Sequence, residues 1–177
     1  MGVRERLVEH FSRYKRIIPD FDLFLEYQFR PLRPTIRANT LIVEPERLAQ
    51  LLESRGMKLT RVPWHPWFFR VEDLGPVGNP GRTLEHLLGY YYVQELSSAL
   101  PPLVLSPRPG DLVLDVAAAP GSKTTQMAQM MRNSGTIVAN DVDYKRIRAL
   151  RPNLERLRIR TGPLHNLTLP RRGQCRH

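Results

Sequence analysis

The chain has 177 residues, 41% of them hydrophobic, a formal charge of +10 and a single cysteine, Cys175. That is enough apolar material for a real core, which excludes a disordered tail, and one cysteine excludes a disulfide framework. No apolar run approaches the length of a membrane span, and Met1-Gly-Val-Arg-Glu-Arg6 resembles neither a secretory leader nor a myristoylation site, so a soluble, cytoplasmic protein is expected.

In chain order, Arg4 to Tyr14 sets Leu7, Val8, Phe11 and Tyr14 at helical spacing. A second helix is expected over Asp20–Phe29, stopped by Pro31 and Pro34. Thr35 to Val43 alternates and is β-branched, so it predicts a strand. Pro45 to Arg55 predicts a helix, with proline in its first turn and Gly56 as its stop. Met57–Trp64 and Trp67–Val71 read as two strands. Trp64, Trp67, Phe68 and Phe69 could stack bases, but four aromatics on such strands are better explained as core. The loop Gly75–Gly81 marks a boundary. The expected organisation is a small α+β unit over 1–82, a strand–helix–strand–helix unit over 83–160 and a divergent basic tail over 161–177.

The second unit is carried by Asp111-Leu-Val-Leu-Asp-Val-Ala-Ala-Ala-Pro-Gly-Ser-Lys-Thr124. Leu112 to Val116 reads as a short buried strand, Lys123 to Arg132 as a helix, and the turn between them has almost no side chains. Such a turn lets a ligand reach backbone N–H groups at a helix N-terminus, where the dipole favours negative groups. It also sits at the carboxyl end of a strand, where open α/β sheets bind cofactors. A phosphate-binding P-loop is excluded, because Ser122 separates Gly121 from Lys123 and Val116 stands at the earlier glycine position. A three-glycine dinucleotide fingerprint is excluded too. Thr136 to Asp141 reads as the next strand, and Asp141 follows Gly121 by 20 residues, a spacing suited to a ribose-binding carboxylate. An adenosyl ligand without a bound pyrophosphate, such as S-adenosylmethionine, satisfies this pattern; so does a plain turn and a surface aspartate in another α/β protein, and spacing alone leaves both open.

The positive charge is not spread evenly. Residues 145–177 hold ten Lys or Arg and one acidic residue, Glu155, whereas residues 1–144 are almost balanced. Arg outnumbers Lys 23 to 4, which suits bidentate phosphate contacts. A basic helix that pairs with acidic residues elsewhere in a larger domain fits the same distribution.

The order of short motifs is more specific than any one of them. Gly89-Tyr-Tyr-Tyr-Val-Gln-Glu-Leu-Ser-Ser98 precedes the turn at Asp115, and Asn140-Asp-Val-Asp-Tyr-Lys-Arg146, Asn153 and Arg156-Leu157 follow it. From about Arg37 to Leu157 this resembles the Nol/Nop/Sun family of RNA cytosine-5 methyltransferases. Ser122, where the family pattern has a second glycine, and Ala117, where a cysteine is frequent, are small departures. The resemblance implies an α/β fold: the first half of a Rossmann-like S-adenosylmethionine-dependent methyltransferase domain, preceded by a small α+β domain. It implies S-adenosylmethionine over Ala117, Ala118, Ala119, Pro120, Gly121, Ser122 and Lys123, with its ribose on Asp141. Arg37-Ala-Asn-Thr-Leu41 is similar to a family segment associated with RNA, which implies tRNA or rRNA contacts by Arg37 and Asn39 together with Arg30 and Arg33. A solvated strand edge is the plainer reading of that cluster.

Cytosine C5 is a poor nucleophile, and the family activates it by adding a cysteine thiolate to C6. The resemblance places that cysteine in a Thr-Cys motif and a second one in an Asp-x-Pro-Cys motif; neither occurs here. Cys175 sits between Gln174 and Arg176 in the basic tail and is expected to be incidental. No catalytic residue and no metal site is therefore assigned. The expectation is a family member cut or shifted before its catalytic cysteines, monomeric if folded, with no convincing strand beyond residue 160. A non-catalytic RNA-binding module and a non-functional gene fragment are the competing readings.

Overall fold

The computed structural model describes residues 2–30, 32–160 and 164–165, in two compact units, Met1–Arg33 and Pro34–His177. The first unit is a pair of helices, α1 (Val3–Ser12) and α2 (Phe21–Phe29), close to where periodicity placed them. The Glu5 carboxylate accepts the Gly2 N–H at 2.8 Å and closes the first turn of α1. Phe11 meets Phe24 edge-on at 5.3 Å, and the Arg4 guanidinium lies 4.8 Å from the Phe29 ring centroid. Phe21 is the buried residue of α2.

The second unit opens with β1 (Thr35–Ala38), α3 (Pro45–Glu53), β2 (Lys58–Arg61) and β3 (Phe68–Asp73). Two 3₁₀ turns (Gly75–Val77 and Pro80–Arg82), α4 (Leu84–Leu87) and β4 (Tyr91–Val93) follow. The strands form one antiparallel sheet in the order β2-β3-β1-β4. Its core joins Ile36, Ala38, Phe69, Val71 and Tyr91 to Leu48 and Leu52 of α3 and to Met57. Phe68 and Phe69 are buried, Trp67 packs against a neighbouring cluster and Trp64 is half exposed, so these aromatics are core with Trp64 at its rim. The strand expected over Thr35–Val43 stops at Ala38. The Asn39 side chain accepts the Leu41 N–H, and its carbonyl accepts those of Ile42 and Val43 at 2.9 and 3.0 Å; this local turn outcompetes the β-branched run that follows.

Helix α5 (Leu96–Leu105) then leads to β5 (Leu112–Asp115), α6 (Ser122–Met130), β6 (Thr136–Asn140), α7 (Tyr144–Arg156) and β7 (Leu164–His165). These three strands are parallel, in the order β5-β6-β7, the start of the doubly wound sheet that alternating strands and helices predict. Met127, Ala128 and Met131 cover Val113 and Ile137. Ala118, Ala119 and Ala139 meet Leu150 and Leu154 of α7.

Two expectations change here. The tail contributes a strand after all, since Leu164 and His165 pair with Ala139 and Asn140 of β6; the pairing partner, not the local sequence, makes it one. The rest of the tail, with Cys175 and Arg171, Arg172 and Arg176, lies outside the described residues. Strand β5 is buried on one face only. Leu112 is 76% exposed and Leu114 57%, with Val116 beside them, because the apolar contacts of α6 and α7 fall on the Val113 face. Among the described residues no helix is long and apolar enough to cross a membrane.

Candidate functional site

The segment between Asp115 and Ser122 is held from below. The Asp115 carboxylate accepts the Thr124 hydroxyl at 2.6 Å and the Ala117 N–H at 3.3 Å. The Ala118 N–H reaches the Asn140 carbonyl at 2.8 Å, which ties the turn to the end of β6. Gly121 has φ +114°, and a Cβ there would stand 2.8 Å from the Leu150 side chain, so both backbone shape and the close approach of α7 demand glycine.

Three carbonyls of the turn are tied back by long side chains. Arg146 donates to Ala119 O at 2.6 Å, Asn153 to Pro120 O at 2.9 Å and Arg37 to Ser122 O at 2.9 Å. What the turn has left to offer is donors, because the first N–H groups of α6 have no partner within the helix. A helix N-terminus with its neighbouring acceptors occupied favours a negative or electron-rich group. Of the residues expected to line it, Ala117 and Pro120 are exposed, Ser122 and Lys123 partly so, while Ala118, Ala119 and Gly121 are buried. A groove between α5 and β5, lined by Pro101, Leu105, Leu114, Val116, Lys123 and Met127, opens beside the turn.

Asp141 lies under the same turn, as its spacing from Gly121 implies. It is 1% exposed. Its oxygens accept the N–H groups of Ala119 and Asp143, each at 3.1 Å, and Arg146 pairs with it at 3.4 Å. An ionised carboxylate has about four lone-pair sites, so most of its capacity is already used by the chain. Asp143, the N-cap of α7, accepts the Lys145 N–H at 2.8 Å and is exposed.

The residues assigned to RNA separate. Arg30 is half exposed, pairs with Glu26 and lies over the Tyr27 ring, and Arg33 is exposed; both belong to the first unit. Arg37 and Asn39 do not form an RNA surface. Arg37 is 1% exposed and donates to the Gln94 side chain, to Ser122 O and, at 2.7 Å, to the Thr125 hydroxyl. Burial pushes its guanidinium down to about 9, and the Tyr92 ring opposes the shift. Asn39 is also buried, donating to Gly89 O at 3.0 Å and Leu157 O at 2.9 Å. Strand alternation says which face a residue takes but not whether another layer covers that face, and here α6 and the end of α7 do. Arg146 and Asn153 are the residues missed as parts of the site; they lie seven apart, on one face of a helix that follows the turn, and that spacing was the signal. Among the described residues no cluster of His, Cys, Asp and Glu could hold a metal ion.

Known families account for most of the chain. Residues 8–96 match the model of the N-terminal domain of 16S rRNA methyltransferase RsmF, and residues 102–168 match that of 16S rRNA methyltransferase RsmB/F. A tRNA (cytosine(49)-C(5))-methyltransferase of Pyrococcus abyssi is 41% identical over 157 residues, covering 87% of this chain and 48% of the relative. Ribosomal RNA small subunit methyltransferase F of Vibrio campbellii is 43% identical over 142 residues, covering 77% of this chain and 29% of the relative. The crystal structure of a methyltransferase homologue from Pyrococcus horikoshii superposes with a TM-score of 0.75 at 41% identity, over 81% of this chain and 47% of that one. The chain thus spans about half, or less, of the length of the relatives it matches.

Proposed function

The chain belongs to the RsmB/F family of rRNA methyltransferases, with an N-terminal domain of the RsmF kind, and we propose that it provides the cofactor-binding front part of an S-adenosylmethionine-dependent RNA cytosine-5 methyltransferase. The observation that carries this reading is the turn over Ala117–Lys123, which has its carbonyls tied back by Arg146, Asn153 and Arg37 and its helical N–H groups left to a ligand. The residues present fit that cofactor on the side they supply. The α6 N-terminus suits a carboxylate, and Asp141, besides fixing Ala119, keeps lone-pair capacity for a ribose hydroxyl. When bound, the cofactor supplies the methyl group. Arg146 orients the turn through Ala119 O and holds the charge of Asp141.

RNA contact belongs, in this reading, to region 1–82 through exposed Arg30 and Arg33, and to the exposed cations of α7, Lys145 and Arg148. A tRNA or rRNA substrate would be bound in the cytoplasm, with an affinity that falls steeply as salt rises, because phosphate contacts release counterions. Arg37 and Asn39 act inside the protein.

Attack on cytosine C6 needs a thiolate, and the only cysteine of this sequence is Cys175 in the basic tail. We therefore expect no methyl transfer by this chain alone. RNA carrying 5-fluorocytosine traps an enzyme that attacks C6, since fluorine cannot leave as the proton does. Incubated with such RNA and S-adenosylmethionine, this chain should give no covalent complex that survives denaturant. A trapped complex that disappears in Cys175→Ala would make Cys175 the nucleophile. Calorimetric titration with S-adenosylmethionine tests the other half: binding that is indifferent to Asp141→Ala would remove the cofactor from this turn.

A further inference from the structure

Among the described residues, Arg37 has no anionic partner. All its hydrogen-bond partners are neutral: the Gln94 amide oxygen, the Ser122 carbonyl and the Thr125 hydroxyl. Its Nε is buried with no hydrogen-bond partner among the described residues, and its guanidinium carbon lies 5.6 Å from the centroid of the Tyr92 ring. Burying an arginine this way is costly compared with an apolar side chain of the same volume. Stability alone does not account for it.

Its placement gives it another use. Arg37 lies in β1, in the middle of the antiparallel sheet, yet two of its three acceptors are the first and fourth residues of α6, the helix that begins at the cofactor turn. The surrounding contacts repeat the theme. Gln94 of the β4–α5 connection donates to Gln126 of α6 at 2.8 Å, and Gln126 donates to Ala99 O of α5 at 3.0 Å. Gln129 of α6 donates to Ala38 O of β1 at 2.9 Å and to the Thr40 hydroxyl at 2.8 Å. The antiparallel sheet and α6 are thus joined by a line of directional polar contacts. Apolar contacts tolerate sliding; a fork of hydrogen bonds from one guanidinium does not.

We propose that Arg37 is a positioning residue that fixes the start of α6 against the antiparallel sheet, and so sets the orientation of the N–H groups that the cofactor meets. The proposal rests on the cofactor reading above for its functional half, and on contacts within this chain for its structural half. It also predicts that anything which shifts β1 is felt at the cofactor turn through this side chain.

The test reads local against global opening by amide hydrogen exchange in the full chain. Arg37→Met keeps the volume and removes the donors. It should speed exchange of the Thr125 and Gln126 amides tenfold or more, while the amides of the β2–β3 pair, at Thr60 and Arg70, stay as they were. Arg37→Lys retains one donor in reach of Ser122 O and should recover part of the protection. Thr125→Val, which leaves Arg37 in place, should give a smaller change with the same pattern and serves if Arg37→Met does not fold. Equal acceleration at both places would make Arg37 a general stabiliser, and no acceleration at either would make it idle; each overturns the proposal. At a temperature where the variant is fully folded, Arg37→Met should also weaken S-adenosylmethionine binding at least tenfold. If the unmodified chain binds none, the cofactor reading fails by itself, and the exchange pattern still decides whether Arg37 holds the turn.

Discussion

The two sheets of the second unit solve the burial problem to different extents. In the antiparallel sheet, α3 lays Leu48 and Leu52 on Ile36, Phe69 and Val71, and the strand residues that alternate inward are sealed. In the parallel sheet, α6 and α7 cover the Val113 and Ile137 side, while Leu112, Leu114 and Val116 stand in the open with Leu100, Val104 and Leu105 of α5. A sheet wound on both faces needs helices on both, and among the described residues α6 and α7 pack on one of them. The difference teaches that the cofactor turn does not owe its shape to a completed sheet. It is held from one side, by α7 and by the polar line from β1.

Substitutions at matched positions turn that contrast into measurements. Leu48→Ala, in the sealed sheet, should cost about 2–5 kcal/mol of unfolding free energy in urea; a loss under 1 kcal/mol would mean that the antiparallel core is looser than its contacts. At the turn, Asp141→Ala leaves the Ala119 and Asp143 N–H groups without their acceptor and removes the ion pair of Arg146, and should cost about 1–3 kcal/mol, with the loss of amide protection centred on Ala119 and Asp143. An unchanged exchange pattern would show that the turn holds itself.

Acid should find the antiparallel side through His86. Burial and the neighbouring Arg156 hold its ring down at about 4, below the ordinary value of about 6.5. Between those values the unfolded chain takes up a proton that the native ring refuses, so stability is full above about pH 6.5 and falls as the pH drops toward about 4. His86→Gln should flatten that slope when stability is measured across the range. It will not abolish it, since His65 is also held low by burial and by Arg37. The smallest effect belongs to the open face. Leu114→Ser should change unfolding free energy by no more than about 0.5 kcal/mol, and a larger loss would mean that something covers Leu114 in solution.

What was legible in the sequence was what is local. The turn from Asp115 to Lys123 could be read because strand, small residues, glycine and helix are consecutive, α1 because of its helical spacing, and α2 and α3 because proline and glycine mark their ends. What failed depended on neighbours. Thr35–Val43 has the composition of one long strand, yet Asn39 ends it with its own hydrogen bonds. Leu164 and His165 are a strand only because β6 offers them an edge. Leu112 to Val116 is apolar enough for a strand buried on both faces, and nothing within it reports that only one face is covered. Arg37 was the instructive case: an arginine on an alternating strand reads as surface, and only the packing of α6 over β1 makes it interior.

The open strip on β5 and α5 also bears on how the 177-residue chain behaves at high concentration. Exposed apolar strips of this kind are interaction sites or aggregation liabilities. At the buried leucines of the second unit, Leu48, Leu52, Leu150, Leu154 and Leu157, a charged side chain loosens the core and lowers solubility with it. At Leu112 and Leu114 the sign reverses: a lysine there removes exposed apolar surface, and the 177-residue chain should stay in solution at higher concentration with its fold unchanged.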